Sequence, residues 1–249
     1  MSERQRGERQ PQPGTIIVTG ASQGIGAGIT RALLERGYNV VANSRNISKS
    51  SFAPTEKLAL VDGNIGQAST AEKVAAMAIS KFGSIDGVVN NAGIFFTKPF
   101  TDYTARDFQM LSETNLEGYL YITQLAVKRM LAQGTGGSVT SITAASAQHP
   151  IVGVNGSVPM MTKGGLESIT RSLALEYAKD GIRFNAVAPG IVDTPMHAKD
   201  PQDFLKSLSP MGEIADVDDI VEAVVYLTEA RHVTGEVLHV DAGAHNGKW

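Results

Sequence analysis

An apolar, strand-like run, Thr15 to Val18, passes directly into Thr19-Gly20-Ala21-Ser22-Gln23-Gly24-Ile25-Gly26 and then into a helical pattern. Strand, glycine turn and helix in that order constrain the fold more than any other stretch, because they define the first βα unit of a parallel sheet. Glycine at 20, 24 and 26 removes the β-carbons that would obstruct a tight turn, hold a diphosphate off the backbone, or keep helix and sheet apart. Unpaired amides at the helix start face that anion, in the favourable field of the helix dipole.

Downstream, strand-like runs alternate with helical patterns, the signature of a parallel sheet covered on both faces. The first helix carries Ile25, Ile29, Ala32 and Leu33 on one face and ends at Gly37. Strands are expected at Asn39 to Asn43, Leu58 to Val61, Gly87 to Asn90, Ser138 to Ile142, Arg183 to Val187 and Val237 to Val240. Between them come a helix capped by Ser69 or Thr70 through Lys81, a long one from Thr104 to Ala132, one from Thr162 to Lys179, and one capped near Asp216. The pattern predicts a single α/β domain over residues 15–249, doubly wound around a parallel seven-stranded sheet.

The length suits one such domain, and the first 14 residues, poor in apolar side chains, read as a disordered tail rather than a signal peptide. A net charge of -3 without a long basic run points away from nucleic acid and membrane surfaces as partners. No apolar run approaches the roughly 20 residues of a membrane span. With no cysteine, disulfides and thiolate metal sites are excluded, and a reducing cytoplasm is the compartment expected. No metal site is expected.

Three further motifs follow strand ends: Asn90-Asn91-Ala92-Gly93, Pro189-Gly190-Ile191-Val192-Asp193-Thr194-Pro195, and Val240-Asp241-Ala242-Gly243. Together with the Gly-x-x-x-Gly-x-Gly spacing of the first turn, they resemble the short-chain dehydrogenase/reductase family, from about Thr15 to Trp249. The resemblance implies a Rossmann-type fold, a nicotinamide dinucleotide, a small-molecule substrate and a homotetramer or dimer built on the long helices. By it, Gly20, Ser22, Gln23, Gly24, Ile25 and Gly26 cradle the diphosphate. Asp62 with Gly63 holds the adenine, and Asn91, Ala92 and Gly93 line the adenosine side. Pro189, Gly190, Ile191 and Thr194 face the nicotinamide carboxamide, and Asn115 is the active-site asparagine whose helix kinks near the catalytic lysine. At the end of the second strand, Ser44 and Arg45 stand where an acid would meet a ribose 2′-hydroxyl, and a hydroxyl with a guanidinium suits a 2′-phosphate. NADP(H) is therefore expected over NAD(H), although Gln23 replaces the basic residue that often supports the same preference.

The catalytic segment departs from the family pattern. Carbonyl reduction needs a proton donor on the nascent alkoxide, which the family supplies as a tyrosine four residues before a lysine. Here the lysine is Lys163 and the residue four before it is Pro159, which has no proton to give. Proline fits the first turn of a helix, which Ser157 is expected to cap. For the substrate-orienting serine, strand alignment points to Ala144, spacing from position 159 points to Ser146, and Thr143 is a third hydroxyl-bearing candidate. His149 is an imidazole able to exchange a proton near neutral pH, and Lys163 either only holds the ribose or also acts as an acid. Tyr119 and Tyr121 read as core. Phe95, Phe96, Ile151, Val152 and Met196 are candidates for an apolar substrate wall.

Three functions are open at this level. The first is an NADP(H)-dependent oxidoreductase acting on an alcohol or carbonyl compound, with Asn115, Lys163 and Ser146 in its catalytic centre. The second is a catalytically silent dinucleotide-binding protein or subunit. The third is a lyase or isomerase on the same fold.

Overall fold

The computed structural model describes residues 13–198 and 200–247. Strands β1 (Thr15–Thr19), β2 (Asn39–Ser44), β3 (Leu58–Asp62), β4 (Gly87–Asn90), β5 (Gly137–Ile142), β6 (Ile182–Pro189) and β7 (Val237–Val240) form one parallel sheet in the order β3-β2-β1-β4-β5-β6-β7. Residues 1–12 of the expected tail lie outside the described residues.

The period-two alternation of side chains sorts each strand between two cores. Ile17, Val41 and Val88 face one side, where α2 (Ala68–Phe82), α4 (Gly118–Gln133) and α5 (Ser157–Glu176) supply Val74, Ile122 and Leu166. Ile16, Val18, Val40, Ala42 and Val89 face the other, against Ile29 and Leu33 of α1 (Gly24–Glu35) and Ile220 and Val224 of α7 (Val217–Glu229). Each strand is thereby buried on both faces, as a parallel sheet requires. Because β1 lies between β2 and β4, successive crossovers leave it in opposite directions and open a crevice beyond the carboxyl ends of β1 and β4.

Several element ends differ from expectation for local reasons. Helix α2 is N-capped at Gln67 rather than at Ser69 or Thr70, since Thr70 is buried against Gly63 and its amide bonds to the Gln67 carbonyl at 2.9 Å. The long helix is two: α3 (Ala105–Ser112), held at its start by the reciprocal Thr104–Asp107 capping box, then a π-helical turn over Glu113–Glu117, then α4. Helix α5 begins five residues early, at Ser157, with Gly156 rather than Ser157 as its N-cap, and ends before Tyr177; Ala178–Asp180 form a separate 3₁₀ turn. Between β6 and α7 lies a short helix, α6 (Gln202–Ser207), that the sequence pattern did not announce. Asp216 precedes α7 as expected, its amide donating to Asp219 Oδ2 at 2.8 Å.

Candidate active site

The crevice encloses about 510 Å³ and is walled by the β1–α1 turn, the ends of β2, β4, β5 and β6, and the segments that follow them. The turn adopts its shape because Gly20 and Gly24 have φ of +65° and +51°, where side chains other than hydrogen are strained. A β-carbon on Gly20 would sit 2.8 Å from Ala92 Cα, and one on Gly26 would run into the Gly20 carbonyl and Asn91 Nδ2. Asn91 locks this approach: its Nδ2 donates to the Thr19 and Gly20 carbonyls at 2.9 and 3.1 Å, and Thr19 Oγ1 accepts from Asn91 N and Ala92 N. Its neighbour Asn90 is buried and donates to Thr123 Oγ1 of α4 at 3.0 Å. No side chain caps α1 and no acid stands in its first turn, so its leading amides remain directed to the crevice. Gly20→Ala is expected to cost about 1–3 kcal/mol, from the left-handed backbone alone. In a thermal scan of the ligand-free protein this reads as a Tm lowered by roughly 2–10 °C.

Farther along the wall, Ser44 Oγ is buried without a hydrogen-bond partner, and Arg45 is exposed with no ion pair or hydrogen bond among the described residues. Gly63 lines the crevice but Asp62 does not: its carboxylate accepts from Ser48 N and Oγ at 2.9 and 2.5 Å, which holds its pKa below the usual value. Pro189, Gly190, Ile191 and Thr194 form the opposite lip, where Thr194 Cγ2 would lie 3.4 Å from a β-carbon on Gly24. Asn46, Asn64, Thr114 and Ala242 also line the crevice. Ala242 belongs to the motif after the last strand, whereas Asn46 and Asn64 in turns and Thr114 in the π-helical turn were given no site role by sequence reading.

At the far end Lys163 enters from α5. It is buried, its Nζ donates to the Ile142 carbonyl at 2.8 Å, and burial lowers its pKa from 10.5 to about 8. No carboxylate pairs with it among the described residues. Asn115, in the π-helical turn, does not line the crevice. Its Oδ1 accepts from Ile94 N at 2.9 Å while Nδ2 donates to the Ile94 carbonyl and Thr162 Oγ1, so it ties the strand-β4 extension to α5 beside Lys163. Pro159 is buried in the first turn of α5, one turn before Lys163. Of the three candidates for the serine position, Thr143 is spent on the Val187 carbonyl, Ala144 has no hydroxyl, and Ser146 lines the crevice with Oγ 3.3 Å from Met160 Sδ. Phe95, Ile151 and Met196 line the same end; Phe96 instead packs on Tyr103 and Lys98, and Val152 is 86% exposed. Tyr119 is core, its hydroxyl pKa pushed up by burial, and Tyr121 donates to Glu117.

A glycine-turn cradle at the switch point of a doubly wound sheet, with a buried lysine at its inner end, defines a nucleotide-type crevice of the Rossmann class. The family model described as enoyl-(acyl carrier protein) reductase matches residues 20–245. L-Rhamnose 1-dehydrogenase (NAD(P)(+)) of Azotobacter vinelandii is 34% identical over 246 residues, covering 92% of this chain and 95% of that one. Human L-xylulose reductase is 32% identical over 237 residues, 92% and 95% of the two chains. Among solved structures, the 3-ketoacyl-(acyl-carrier-protein) reductase of Brucella melitensis complexed with NADH superposes with a TM-score of 0.84 at 26% identity, covering 94% of this chain and 98% of that one. The chain belongs to the short-chain dehydrogenase/reductase family. No helix among the described residues is long and apolar enough to cross a membrane.

Proposed function

We propose that the protein is an NADP(H)-dependent oxidoreductase acting on an alcohol or carbonyl compound, with Pro159 in the place of the usual tyrosine. The observation that carries this reading is Lys163, an unpaired buried cation at the inner end of a crevice whose outer end is built for a diphosphate. The residues fit the dinucleotide: β-carbons are excluded at Gly20 and Gly26, the α1 amides are uncapped, and Ser44 Oγ is an orphaned polar atom in the wall. When bound, the nicotinamide supplies or takes up a hydride. The chain's own residues do the rest. The α1 turn neutralises the diphosphate, Thr194 and the Pro189–Ile191 backbone orient the carboxamide, and Lys163 holds the ribose hydroxyls with the Nζ donors that Ile142 leaves free. Asn115 positions Lys163 through Thr162, and Ser146 is the hydroxyl available to a substrate oxygen. Asp62, bound to Ser48, has an adenine role in this reading only through the adjoining Gly63.

NADP(H) is favoured over NAD(H) because β2 ends in Ser44-Arg45 and carries no acid there. Arg45→Glu is expected to raise the Kd for NADPH by about 10- to 100-fold, the worth of a charge-assisted hydrogen bond. The Kd for NADH should change by less than about threefold, since a 2′-hydroxyl makes no ion pair to lose. Nicotinamide fluorescence titration of both forms checks this and tests the function itself: no binding of either sinks the oxidoreductase reading. The activities that name the relatives, on sugar and ketoacyl compounds, support a carbonyl or alcohol substrate. Assembly as a dimer or tetramer through α4 and α5 belongs to the same reading, supported by exposed Leu120, Leu131 and Leu175 on those helices. Pro159 favours a second reading, a silent dinucleotide-binding subunit, which would bind NADPH yet turn over no carbonyl.

A further inference from the structure

Three histidines far apart in the sequence converge at the substrate end of the crevice. His149 comes from the loop after β5, His239 from β7, and His245 from the turn that follows it. The rings of His239 and His245 are stacked with centroids 4.1 Å apart, and His149 stands 6.0 and 5.8 Å from them. His245 Nδ1 lies 2.9 Å from Asp241 Oδ1, whose carboxylate also accepts from His245 N at 2.7 Å and Gly243 N at 3.1 Å. Gln148, next to His149, donates to buried Glu167 of α5, which pins the loop to the helix that carries Lys163. Of this set only His149 and Asp241 line the crevice, and Asp241 is already engaged. Neither ring nitrogen of His149 has a hydrogen-bond partner among the described residues, and the residue is exposed on one side to solvent.

Of the other groups at this end, Ser146 is the hydroxyl placed on the substrate oxygen and Lys163 is placed on the ribose, and the rest are spent or lack a transferable proton. Thr143 is bonded to Val187, Ala144 and Pro159 carry none, and Asn115 is held behind the wall by Ile94 and Thr162. His197, also on the lip, is paired with Asp200 at 2.8 Å. We propose that His149 is the proton-exchanging catalytic residue of this chain, standing in for the missing tyrosine, with Gln148 and Glu167 as its positioning residues. The proposal rests on the oxidoreductase reading. In the reduction direction two electrons reach the carbonyl carbon as hydride from a dihydronicotinamide, and the C=O π pair moves onto oxygen. The N–H proton of the His149 imidazolium passes to that oxygen, giving an alcohol and a neutral imidazole, and solvent at the exposed side returns the proton. Oxidation runs the same steps backwards with neutral His149 as base. The rings beside His149 are those of His239 on β7 and His245 after it; Asp241 is bonded to His245, Glu167 to Gln148, and Lys163 shares the crevice.

The test uses the full chain, NADPH, and diacetyl and L-xylulose as probe carbonyls. Fluorescence titration comes first, and failure to bind NADPH removes the oxidoreductase reading itself. With binding established, wild-type reduction is expected to fall as pH rises through the imidazole range. His149→Gln should lower kcat by about 10²-fold or more, erase that limb of the pH profile, and leave the NADPH Kd within about twofold. Adding free imidazole to His149→Gly should restore part of the rate. Independently of turnover, the ring resonances of His149 should shift in His245→Asn, whose substituted side chain stands beside it. An unchanged rate and pH profile in His149→Gln overturns the proposal. So does a wild type that binds NADPH and reduces neither probe, the behaviour of a silent binder.

Discussion

Pro159→Tyr is expected to raise kcat for carbonyl reduction at pH 9 by about 10²-fold or more, the usual worth of a positioned general acid. Positions 159 and 163 share a face of α5, so a phenol there projects toward the same end of the crevice as Lys163 Nζ, which the short proline ring does not reach. A phenol ordinarily titrates near about 10, so the new tyrosine keeps its proton at pH 9. The same comparison at pH 6 shows how much of the gain depends on pH. NADPH affinity should hold within about twofold, since position 159 does not line the crevice and the new hydroxyl meets the substrate rather than the dinucleotide. Releasing proline's constraint on the unfolded chain lowers stability by only about 0.4–1 kcal/mol. Steady-state kinetics at the two pH values, with fluorescence binding alongside, decide the matter. An equal, low rate at pH 9 in both proteins would mean that something other than a missing acid limits turnover.

What could be read from the sequence was whatever local chemistry dictates. Gly20 and Gly24 mark a turn because their positive φ strains any other side chain, Gly26 because a β-carbon would run into the Gly20 carbonyl, and Gly190 because one would run into Asp241. The strands were legible through short apolar runs between turn residues, and the double winding through their alternation with helices. Elements set by long-range partners were not. A kink at Asn115 was expected only through the family resemblance; its three bonds to Ile94 and Thr162 accompany a π-helical turn that periodicity does not encode. Asp62 had the family's position, but Ser48, in a 3₁₀ turn after β2, takes both of its oxygens. Nor does local pattern bring His149, His239 and His245 together; only the placement of β7 at the sheet edge beside β6 does so.

Lys163→Met is expected to weaken NADPH binding by about 10- to 100-fold, because it removes charge-assisted bonds to the ribose and a cation from the inner end of the crevice. Methionine keeps the buried stem, so the change isolates the ammonium. Ligand-free stability should respond to pH in a defined direction. Burial lowers the pKa of Lys163 from 10.5 to about 8 in the folded chain, so between those values the unfolded chain binds more protons than the folded one. Stability contributed by this residue therefore rises with pH across that window and is flat below and above it. The gap between wild type and Lys163→Met should move in favour of wild type by about 3 kcal/mol from pH 8 to pH 10.5. Urea unfolding of both proteins along a pH series reads that difference directly, with other titrating groups cancelling between them. A constant gap would show that Lys163 keeps its proton in the folded chain throughout, and the ribose contact would then be made by a fully charged lysine at every pH the protein meets.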